Sequence, residues 1–540
     1  MLAPLRANTQ RQAVVRPMTF MAPVEGWDAS TALAAMPKLR AVQLKNWFPQ
    51  PGYVELRRGW QFHARISRTS TVFIETLMAW NGPASRKMFM VGGGNIYDAT
   101  ASGTDDTTVV TGLANSRLQW VNMTTSAAAF LVFVNGADGV RTYNGSAWAT
   151  QTITATGFSA SDFVHVNVHK KRLWFVLDNS TDAAYLATDA VAGAATKFSL
   201  GANFDRGGYL VTMVTWTIDG GSGPDDYAAF ISSEGQVAVY QGTDPASADT
   251  WSLVGVYNVS RPIGRRCAFK YGTSPLLLTE SGVLQLAMAL NADEAKLQVT
   301  ALTQRIIPAM SEAARSYADL WGWEMCVYPK GTRLILNIPT SENAAAKQYV
   351  MNTVTGAWCE FDGHPANCWL VFNGDLYFGD NSGRVCKADQ TWGDGANPIV
   401  AIGQTAYDAG GAPGHLKRYT MVQPLILTEG TTRVSVGVST DFAETTALSS
   451  PSVATSTSAV WDTARWDNAS WGGDETFISD WTSTPALGRF ASIKFQISSD
   501  VLAGIWGESS WGTAGWGIYA PELTLQVNGF VVLAEPGGFL

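Results

Sequence analysis

The sequence is poor in cysteine, with five residues of this type among 540. They are odd in number and show no short paired spacing, which argues against a disulfide framework and against a structural zinc motif. Their positions are Cys267, Cys326, Cys359, Cys368 and Cys386. Histidine is equally scarce, and the only close pair is His165 and His169. The surrounding VHVNVHKKRLWFV is predicted to be a strand, in which this spacing separates the two rings by about 13 Å. We therefore expect no metal site and no cofactor.

Charge and long apolar runs are also scarce. Charged residues make up 15% of the chain, and no stretch of about 18 uncharged apolar residues occurs. The first twenty residues lack the apolar segment of a signal peptide. We therefore expect a protein made in the cytoplasm without a membrane-spanning segment. Hydrophobic residues at 46%, aromatic residues at 11% and 52 glycines indicate large cores joined by many turns, a balance typical of all-β proteins.

Local signatures of catalysis are missing as well. The sequence has no G-x-S-x-G turn, no phosphate-cradling loop and no histidine-glutamate zinc helix. The glycine-rich run at Val91 to Asn95 lies inside a predicted hairpin and is interpreted as a turn. A repeated Ser-x-Asp-x-Gly-x-x-Trp element, as carried by sialidase-like propellers, is absent. We predict no catalytic residue and no enzymatic activity.

What the chain does contain is a recurring pattern of two short apolar runs around a Gly, Asn or Asp turn. The pattern occurs seven times, at intervals between 35 and 58 residues, starting near Met88, Phe130, Leu173, Tyr227, Leu276, Leu334 and Trp369. Each unit reads as a β-hairpin, and one hairpin alone buries too little surface to be stable. The interval includes the period of about 40 to 50 residues that is typical of four-stranded propeller blades. We predict an all-β fold with a β-propeller-like domain; an irregular β-sandwich is the alternative.

Composition divides the chain into three regions. Residues 1–65 are predicted to form an irregular N-terminal arm with a short helix from Ser30 to Met36, capped by Asp28 or Ser30. Residues 66–400 form the propeller-like domain, interrupted by one predicted helix after Pro308. Residues 401–540 alternate strands with Gly/Ser/Thr loops, which favours a sandwich-like or small-barrel domain.

Net charge differs between these regions. The arm carries +6, whereas residues 66–400 and residues 401–540 each carry −7. This asymmetry indicates either ordinary surface charge or an arm that docks on an acidic surface of its own or a neighbouring subunit.

Short motifs near the N-terminus and in the C-terminal half of the chain together carry a resemblance to one protein family. Near the N-terminus these are APVEGW at 22–27, Ala41, NWFP at 46–49, Gly52 and Arg58-Gly59. Later come IPT at 338–340, TGAW at 355–358, the hairpin from Gly374, DGANPIVAIGQTAYDAGG from Asp394, LKRYT and the terminal PGGFL. In these elements the chain resembles the tail hub or nozzle proteins of short-tailed bacteriophages.

The resemblance implies a structural role in a phage tail. It implies a homo-oligomer of six copies, forming a ring below the portal and its adaptor that closes the tail and conducts DNA during ejection. Implied partners are the head-to-tail adaptor and tail fibre proteins, with assembly in the host cytoplasm and a final location in the virion tail. An acidic body suits a conduit, because basic contacts to phosphate would hold the duplex. Trp47, Arg57 and Arg58 lie in the matching arm and are predicted assembly contacts; alternatively, they anchor the arm to its own propeller.

The tryptophans of the C-terminal region are also compatible with a second function. Two runs have a spacing of five, at Trp461, Trp466 and Trp471 and at Trp506, Trp511 and Trp516, with Trp481 between them. They fit packing or subunit contacts, but also the sugar-stacking platforms of a receptor-binding adhesin or carbohydrate-binding protein. A propeller glycoside hydrolase is a further alternative, which requires two opposed carboxyl groups that the sequence does not place.

Overall fold

The computed structural model describes residues 15–67, 72–104, 108–219, 224–272, 274–290, 296–429, 433–450, 475–499 and 525–537. Within them the chain is dominated by strands. It divides into two compact units. The first contains Met1–Arg57, Ala357–Cys359 and Ala396–Leu540, and the second contains Arg58–Gly356 and Glu360–Gly395.

The secondary structure elements are numbered along the chain. The strands of the first part are β1 (Arg16–Met21), β2 (Ala41–Lys45), β3 (Trp47–Gln50) and β4 (Tyr53–Leu56). The strands of the middle part are β5 (Trp60–Arg65), β6 (Thr76–Asn81), β7 (Arg86–Gly92), β8 (Asn95–Asp98), β9 (Gly103–Thr104), β10 (Thr108–Val110), β11 (Gln119–Thr124), β12 (Ala129–Val134), β13 (Arg141–Tyr143), β14 (Trp148–Thr150), β15 (Ile153–Thr154), β16 (Phe163–His169), β17 (Arg172–Leu177), β18 (Asp182–Tyr185), β19 (Gly193–Ala194), β20 (Thr196–Ser199), β21 (Leu210–Asp219), β22 (Pro224–Ser232), β23 (Gln236–Gly242), β24 (Trp251–Asn258), β25 (Ala268–Tyr271), β26 (Ser274–Thr279), β27 (Gly282–Gln285), β28 (Glu324–Tyr328), β29 (Arg333–Ser341), β30 (Ala345–Asn352), β31 (Trp358–Phe361), β32 (Ala366–Phe372), β33 (Asp375–Asp380), β34 (Arg384–Ala388) and β35 (Gly393–Asp394). The strands of the last part are β36 (Asn397–Pro398), β37 (Val400–Thr405), β38 (Lys417–Glu429), β39 (Arg433–Thr440), β40 (Glu475–Ile478), β41 (Thr482–Gly488), β42 (Ala491–Ser498) and β43 (Leu525–Pro536). The helices are α1 (Leu286–Ala289), α2 (Leu297–Thr300) and α3 (Ile307–Tyr317).

The second unit is a β-propeller, as predicted. Its sheets follow one another along the chain: β6-β7-β8-β10, then β11-β12-β13-β14, β16-β17-β18-β20, β21-β22-β23-β24, β25-β26-β27, β28-β29-β30 and β32-β33-β34-β5. The first strand of each sheet lies beside the first strand of the next, and β32 lies beside β6, which closes the ring. Each predicted hairpin lies within one of these sheets.

The apolar runs in the hairpins have a packing reason, which β12 illustrates. Leu131 and Phe133 face the preceding sheet, in a core that contains Phe89. Val132 and Val134 face the following sheet, in a core that contains Phe163 and Phe175. Because both faces of a propeller sheet are covered, its central strands need continuous apolar runs rather than alternation.

A side-chain turn ends this strand. The Asn135 carboxamide accepts hydrogen bonds from the backbone nitrogens of Ala137 (3.2 Å) and Asp138 (2.8 Å), while Gly136 takes a positive φ of 73°. A Cβ at Gly136 would lie 2.7 Å from the Val164 side chain. Conformation and space therefore both select glycine at this position.

The ring closes with a strand from the other end of the unit. Strand β5 pairs antiparallel with β34, with Arg65 opposite Arg384 and Trp60 opposite Ala388. The Thr391 hydroxyl donates to the Trp60 carbonyl (3.2 Å), and the Trp60 indole donates to the Gly363 carbonyl (2.9 Å). The last sheet is thus completed by the first strand of the unit.

The first unit is sandwich-like and combines both ends of the chain. One sheet has the order β3-β4-β43-β38-β40, with β1 on β43 and β41 on β38. The second contains β2-β37-β42-β39. Phe495 joins them, with ring centroids 5.4 Å from Trp47 and 5.0 Å from Phe530. This differs from the predicted three-part division, because residues 1–57 of the arm share one unit with the C-terminal region, whereas residues 58–65 belong to the propeller.

The arm also carries the one wrong helix prediction. Residues Ser30 to Met36 form bends and turns, and Ala35 donates to the Ala32 carbonyl (2.9 Å) in one of them. Asp28 does accept from the backbone nitrogens of Ser30 and Thr31, both at 2.9 Å, but no helix follows this turn. The helix predicted after Pro308 is confirmed as α3, which buries Met310, Ala313 and Ala314.

Asp28 stabilises the arm through hydrogen bonds and an ion pair. Its fully buried carboxylate accepts from the Thr31 hydroxyl (2.7 Å) and from the Arg40 guanidinium (2.7 Å), and Arg40 also contacts Glu25 (2.9 Å). Burial opposes ionisation of Asp28. Hydrogen bonds from Thr31, Arg40 and Ser30 outweigh it, and the pKa of Asp28 is lowered to about 2.

Replacing Asp28 with Asn is expected to destabilise the first unit by about 2 kcal/mol at neutral pH, because the carboxylate is the stabilised form. Since the pKa is lower in the folded state than the usual 3.8, the contribution is complete above pH 3.8 and is lost as the pH falls towards 2. Urea unfolding at pH 7 and pH 2.5 measures the difference. Glu444→Gln, which changes a carboxylate that is 59% exposed in its ion pair with Lys494, is the control and is expected to change stability by less than about 1 kcal/mol. Equal losses in the two variants would contradict the stabilising role of Asp28.

Candidate functional site

The structure places the three predicted contact residues in different environments. Trp47 and Arg57 are fully buried. The Arg57 side chain donates to the Asn46 carboxamide oxygen (2.8 Å) within the first unit. Arg58 belongs to the second unit, is exposed, and lies 5.3 Å from the centre of the Trp392 ring. Trp47 and Arg57 therefore stabilise their own unit, and only Arg58 presents its side chain at the surface.

Arg266 is the centre of a polar cluster that sequence reasoning missed. It lies just before β25, and its guanidinium donates to the Thr76 hydroxyl (2.8 Å) and to the carbonyls of Leu118 (3.2 Å) and Glu75 (3.4 Å). These partners lie at the starts of β6 and β11. The guanidinium thus connects inner strands from three sheets of the ring.

Glu324 pairs with Arg266 from a further sheet. Its carboxylate lies 3.4 Å from the guanidinium and accepts from the backbone nitrogen of Trp369 in β32 (3.0 Å). Burial raises the pKa of Glu324, and the charge of Arg266 and the Trp369 hydrogen bond oppose this in part. The side chains are 19% and 11% exposed for Glu324 and Arg266, so the ion pair is largely shielded from water.

Trp321 forms the outer layer of the cluster, together with a second arginine. The Arg266 guanidinium lies 4.6 Å and that of Arg117 lies 5.1 Å from the Trp321 ring centre. Arg117 contacts Glu75 at 3.0 Å and also pairs with Glu342. We call Glu75, Arg117, Arg266, Trp321, Glu324 and Glu342 the axial cluster.

The axial cluster ties together the inner strands at one end of the ring. Its contacts involve β6, β11, β25, β28 and β32, and the inner strands of a propeller surround its axis. Each arginine is engaged by carboxylates and by an aromatic face, an arrangement that fixes geometry. Chemically, the cluster is suited to closing the axis and holding the sheets in register.

A small cavity lies elsewhere in the propeller. It has a volume of about 10 Å³. Its polar lining includes Arg333, Gln348, His364 and Asp389, together with Trp369. This is the space of a single water molecule. The Arg333 guanidinium contacts the Asp389 carboxylate at 2.6 Å on its wall.

The other predicted features are placed as follows. His165 and His169 lie in β16, a strand as predicted. Within the part of the chain that the structure describes, no group of three His, Cys, Asp or Glu side chains could hold a metal ion. All five cysteines lie in the described part of the chain, are buried and form no disulfide bond. No helix among the described residues is long and apolar enough to cross a membrane. Trp481 is 40% exposed, whereas the two tryptophan runs at 461–471 and 506–516 lie outside the described residues.

The comparisons with known proteins identify no family for this chain. No family model and no curated protein matches the chain. A solved structure of "BBS1N in complex with ARL6DN" is similar at 9% identity and a TM-score of 0.38, covering 62% of this chain and 97% of that one. A quinonprotein alcohol dehydrogenase-like protein from Bacteroides thetaiotaomicron is similar at 11% identity and a TM-score of 0.29, covering 53% and 66%. At this level of similarity neither structure informs on activity.

Proposed function

We propose that this chain is a structural component of a short-tailed phage tail. In this proposal, copies of it form a ring below the portal and adaptor that closes the tail and conducts DNA during ejection. The motif resemblance at both ends of the chain is the origin of the proposal. The observation that supports it is the axial cluster, because a propeller held shut at its axis is a rigid building block.

Within this proposal, the axial cluster favours one path for the DNA. Arg266 donates to groups on β6 and β11 and pairs with Glu324 on β28, so side chains span the end of the ring where these strands begin. A double helix is far wider than this space. The conduit would therefore lie between copies of the chain, at the centre of the oligomeric ring, and not through one propeller. The net charge of −8 is consistent with passage of DNA without specific binding.

The proposal includes partners and a location. Six copies would contact the head-to-tail adaptor on one side and tail fibre proteins on the other, in a virion tail assembled in the host cytoplasm. Arg58 is the predicted contact residue whose side chain is accessible for such an interface.

Electron microscopy of the purified chain, combined with sedimentation velocity, tests the proposal. We expect a closed ring of six copies with a central opening wide enough for duplex DNA. Arg58→Glu is expected to weaken ring formation, whereas Arg261→Glu, which changes an exposed arginine paired with Glu234, serves as the matched control. A chain that remains monomeric at high concentration, alone and with the adaptor, would contradict the proposal.

A carbohydrate-binding adhesin is the second candidate, and the exposure of Trp481 is the observation that favours it. An exposed indole can stack on a sugar ring. Binding to a glycan array that is lost in Trp481→Ala, together with an absence of rings, would favour this function over the first.

A further inference from the structure

A row of polar side chains lies on the inner strands of two neighbouring propeller sheets, beside an apolar core that the sheets share and that includes Val164, Trp174, Met213, Phe230 and Trp251. Strands β16 and β21 are inner strands of successive sheets, and His165, Asn167 and His169 alternate along one side of β16. His165 Nε2 lies 3.0 Å from the Thr212 hydroxyl, and the Asn167 amide donates to the Met213 carbonyl (3.1 Å). We call this set of contacts the histidine seam.

His169 occupies the far end of the seam. Its Nδ1 lies 3.4 Å from the Thr215 hydroxyl, which donates to the Val168 carbonyl at 3.0 Å. Because the hydroxyl proton is used there, the Thr215 oxygen is an acceptor for Nδ1–H of His169. The imidazole edge faces Trp251, with ring centroids 5.7 Å apart.

Each imidazole keeps one buried ring nitrogen without a hydrogen-bond partner among the described residues. These atoms are Nδ1 of His165 and Nε2 of His169. A neutral imidazole needs only one donor contact, whereas an imidazolium has two N–H donors. The seam offers no second acceptor to either ring, so protonation would leave a buried charged donor unsatisfied.

The charged groups near His165 and His169 are paired with one another and do not offset the cost of protonating the two imidazoles. Lys170 and Asp226 lie beside His169 and pair with each other at 2.8 Å. Arg172, opposite His169 on β17, contacts Asp244 at 3.2 Å. Arg265 lies near His165 and contacts Asp178 at 2.8 Å. The described side chains of β11, β12 and β21 that pack on β16 are uncharged.

The pKa values agree with this geometry. Burial, with a smaller contribution from Arg265, lowers the pKa of His165 to about 4. Burial also lowers the pKa of His169 to about 4, opposed in part by Asp226 and assisted by Lys170. The usual value of 6.5 applies when the strands separate, so acid favours the separated state as the pH falls from 6.5 towards 4.

We propose that the histidine seam is an acid-operated release point, at which the propeller ring opens between β16 and β21 when His165 and His169 take up protons. The adjacent contact, between β11 and β16, also has an apolar core, which includes Met123, Val132 and Val166, but the described side chains of β11 and β12 that pack there include no titratable group. Acid is therefore expected to act more strongly on the contact between β16 and β21 than on the contact between β11 and β16.

Amide hydrogen exchange measured by mass spectrometry tests this proposal. Between pH 7 and about pH 4.5, after correction for intrinsic exchange, protection of peptides from β16 and β21 is expected to fall at least about tenfold more than that of β11 and β12. His165→Gln/His169→Gln should abolish the difference, and His415→Gln in the first unit should retain it. A uniform loss of protection, or the same local loss in the double variant, would overturn the proposal.

A measurement on the unaltered chain covers the case in which the double variant does not fold. Exchange of the imidazole C2 hydrogens reports the titration of each histidine separately. Midpoints below pH 5 for His165 and His169 are expected, together with faster amide exchange of β16 over the same pH range. Midpoints near pH 6.5 for both rings would overturn the proposal.

Discussion

Replacing Arg266 with Met will lower the free energy of unfolding of the propeller by about 3 to 5 kcal/mol, because it leaves the Glu324 carboxylate shielded from water without its cation. The same change removes hydrogen bonds to Thr76 and to the carbonyls of Leu118 and Glu75. Urea unfolding followed by hydrogen exchange in β6, β11 and β28 measures the loss in the propeller separately from the other unit.

Two further variants isolate the cause. Arg261→Met removes an arginine whose side chain is 60% exposed in its pair with Glu234, and is expected to cost less than about 1 kcal/mol. Adding Glu324→Gln to Arg266→Met should recover part of the lost stability, because the neutral carboxamide avoids the cost of burying an unpaired charge. If Arg266→Met is no more destabilising than Arg261→Met, the axial cluster does not hold the ring.

Replacing Trp47 with Ala is expected to destabilise the first unit by about 3 to 5 kcal/mol, as for other large aromatic side chains in cores. Trp47 is fully buried, packs on Phe495, and its indole nitrogen has no hydrogen-bond partner among the described residues. The expected loss of stability therefore comes from packing, and Trp47→Phe should lower the free energy of unfolding clearly less than Trp47→Ala.

Comparing the Trp47 variants with Arg58→Ala distinguishes an effect on core packing from an effect on assembly. Arg58→Ala should leave the unfolding of the chain almost unchanged, because the side chain is exposed, and act only on ring formation. Thermal unfolding of the three variants at a concentration where the chain is monomeric measures the packing effect. A Trp47→Ala chain with unchanged monomer stability and impaired assembly would support the prediction that Trp47 is an assembly contact.

The hairpins were predictable because their signals are local. In FLVFVNGADGVRTY the apolar run, the Asn135 turn and Gly136 lie within a few residues of one another, and the structure forms β12 and β13 there. The helix around Met310 was predictable for the same reason. The proposed helix from Ser30 failed because Asp28, a strong capping residue, is satisfied by a turn and by Arg40 instead.

Long-range features were beyond this reasoning. Nothing near Trp60 indicates that β5 completes a sheet with β34, or that the arm shares a unit with β43. The axial cluster likewise joins side chains from strands far apart in the chain. Its only local sign is an isolated charge at the start of an apolar strand, as for Glu324, and such a charge is not distinctive by itself.

The closure of the ring by β5 has a consequence for biosynthesis. Trp60 and Thr391, which hydrogen-bond across the closing sheet, are 331 positions apart. The ribosome therefore releases β5 long before its partner strand β34 has been synthesised. Such non-local pairing is slow to form and leaves β5 exposed to aggregation until the last sheet is made.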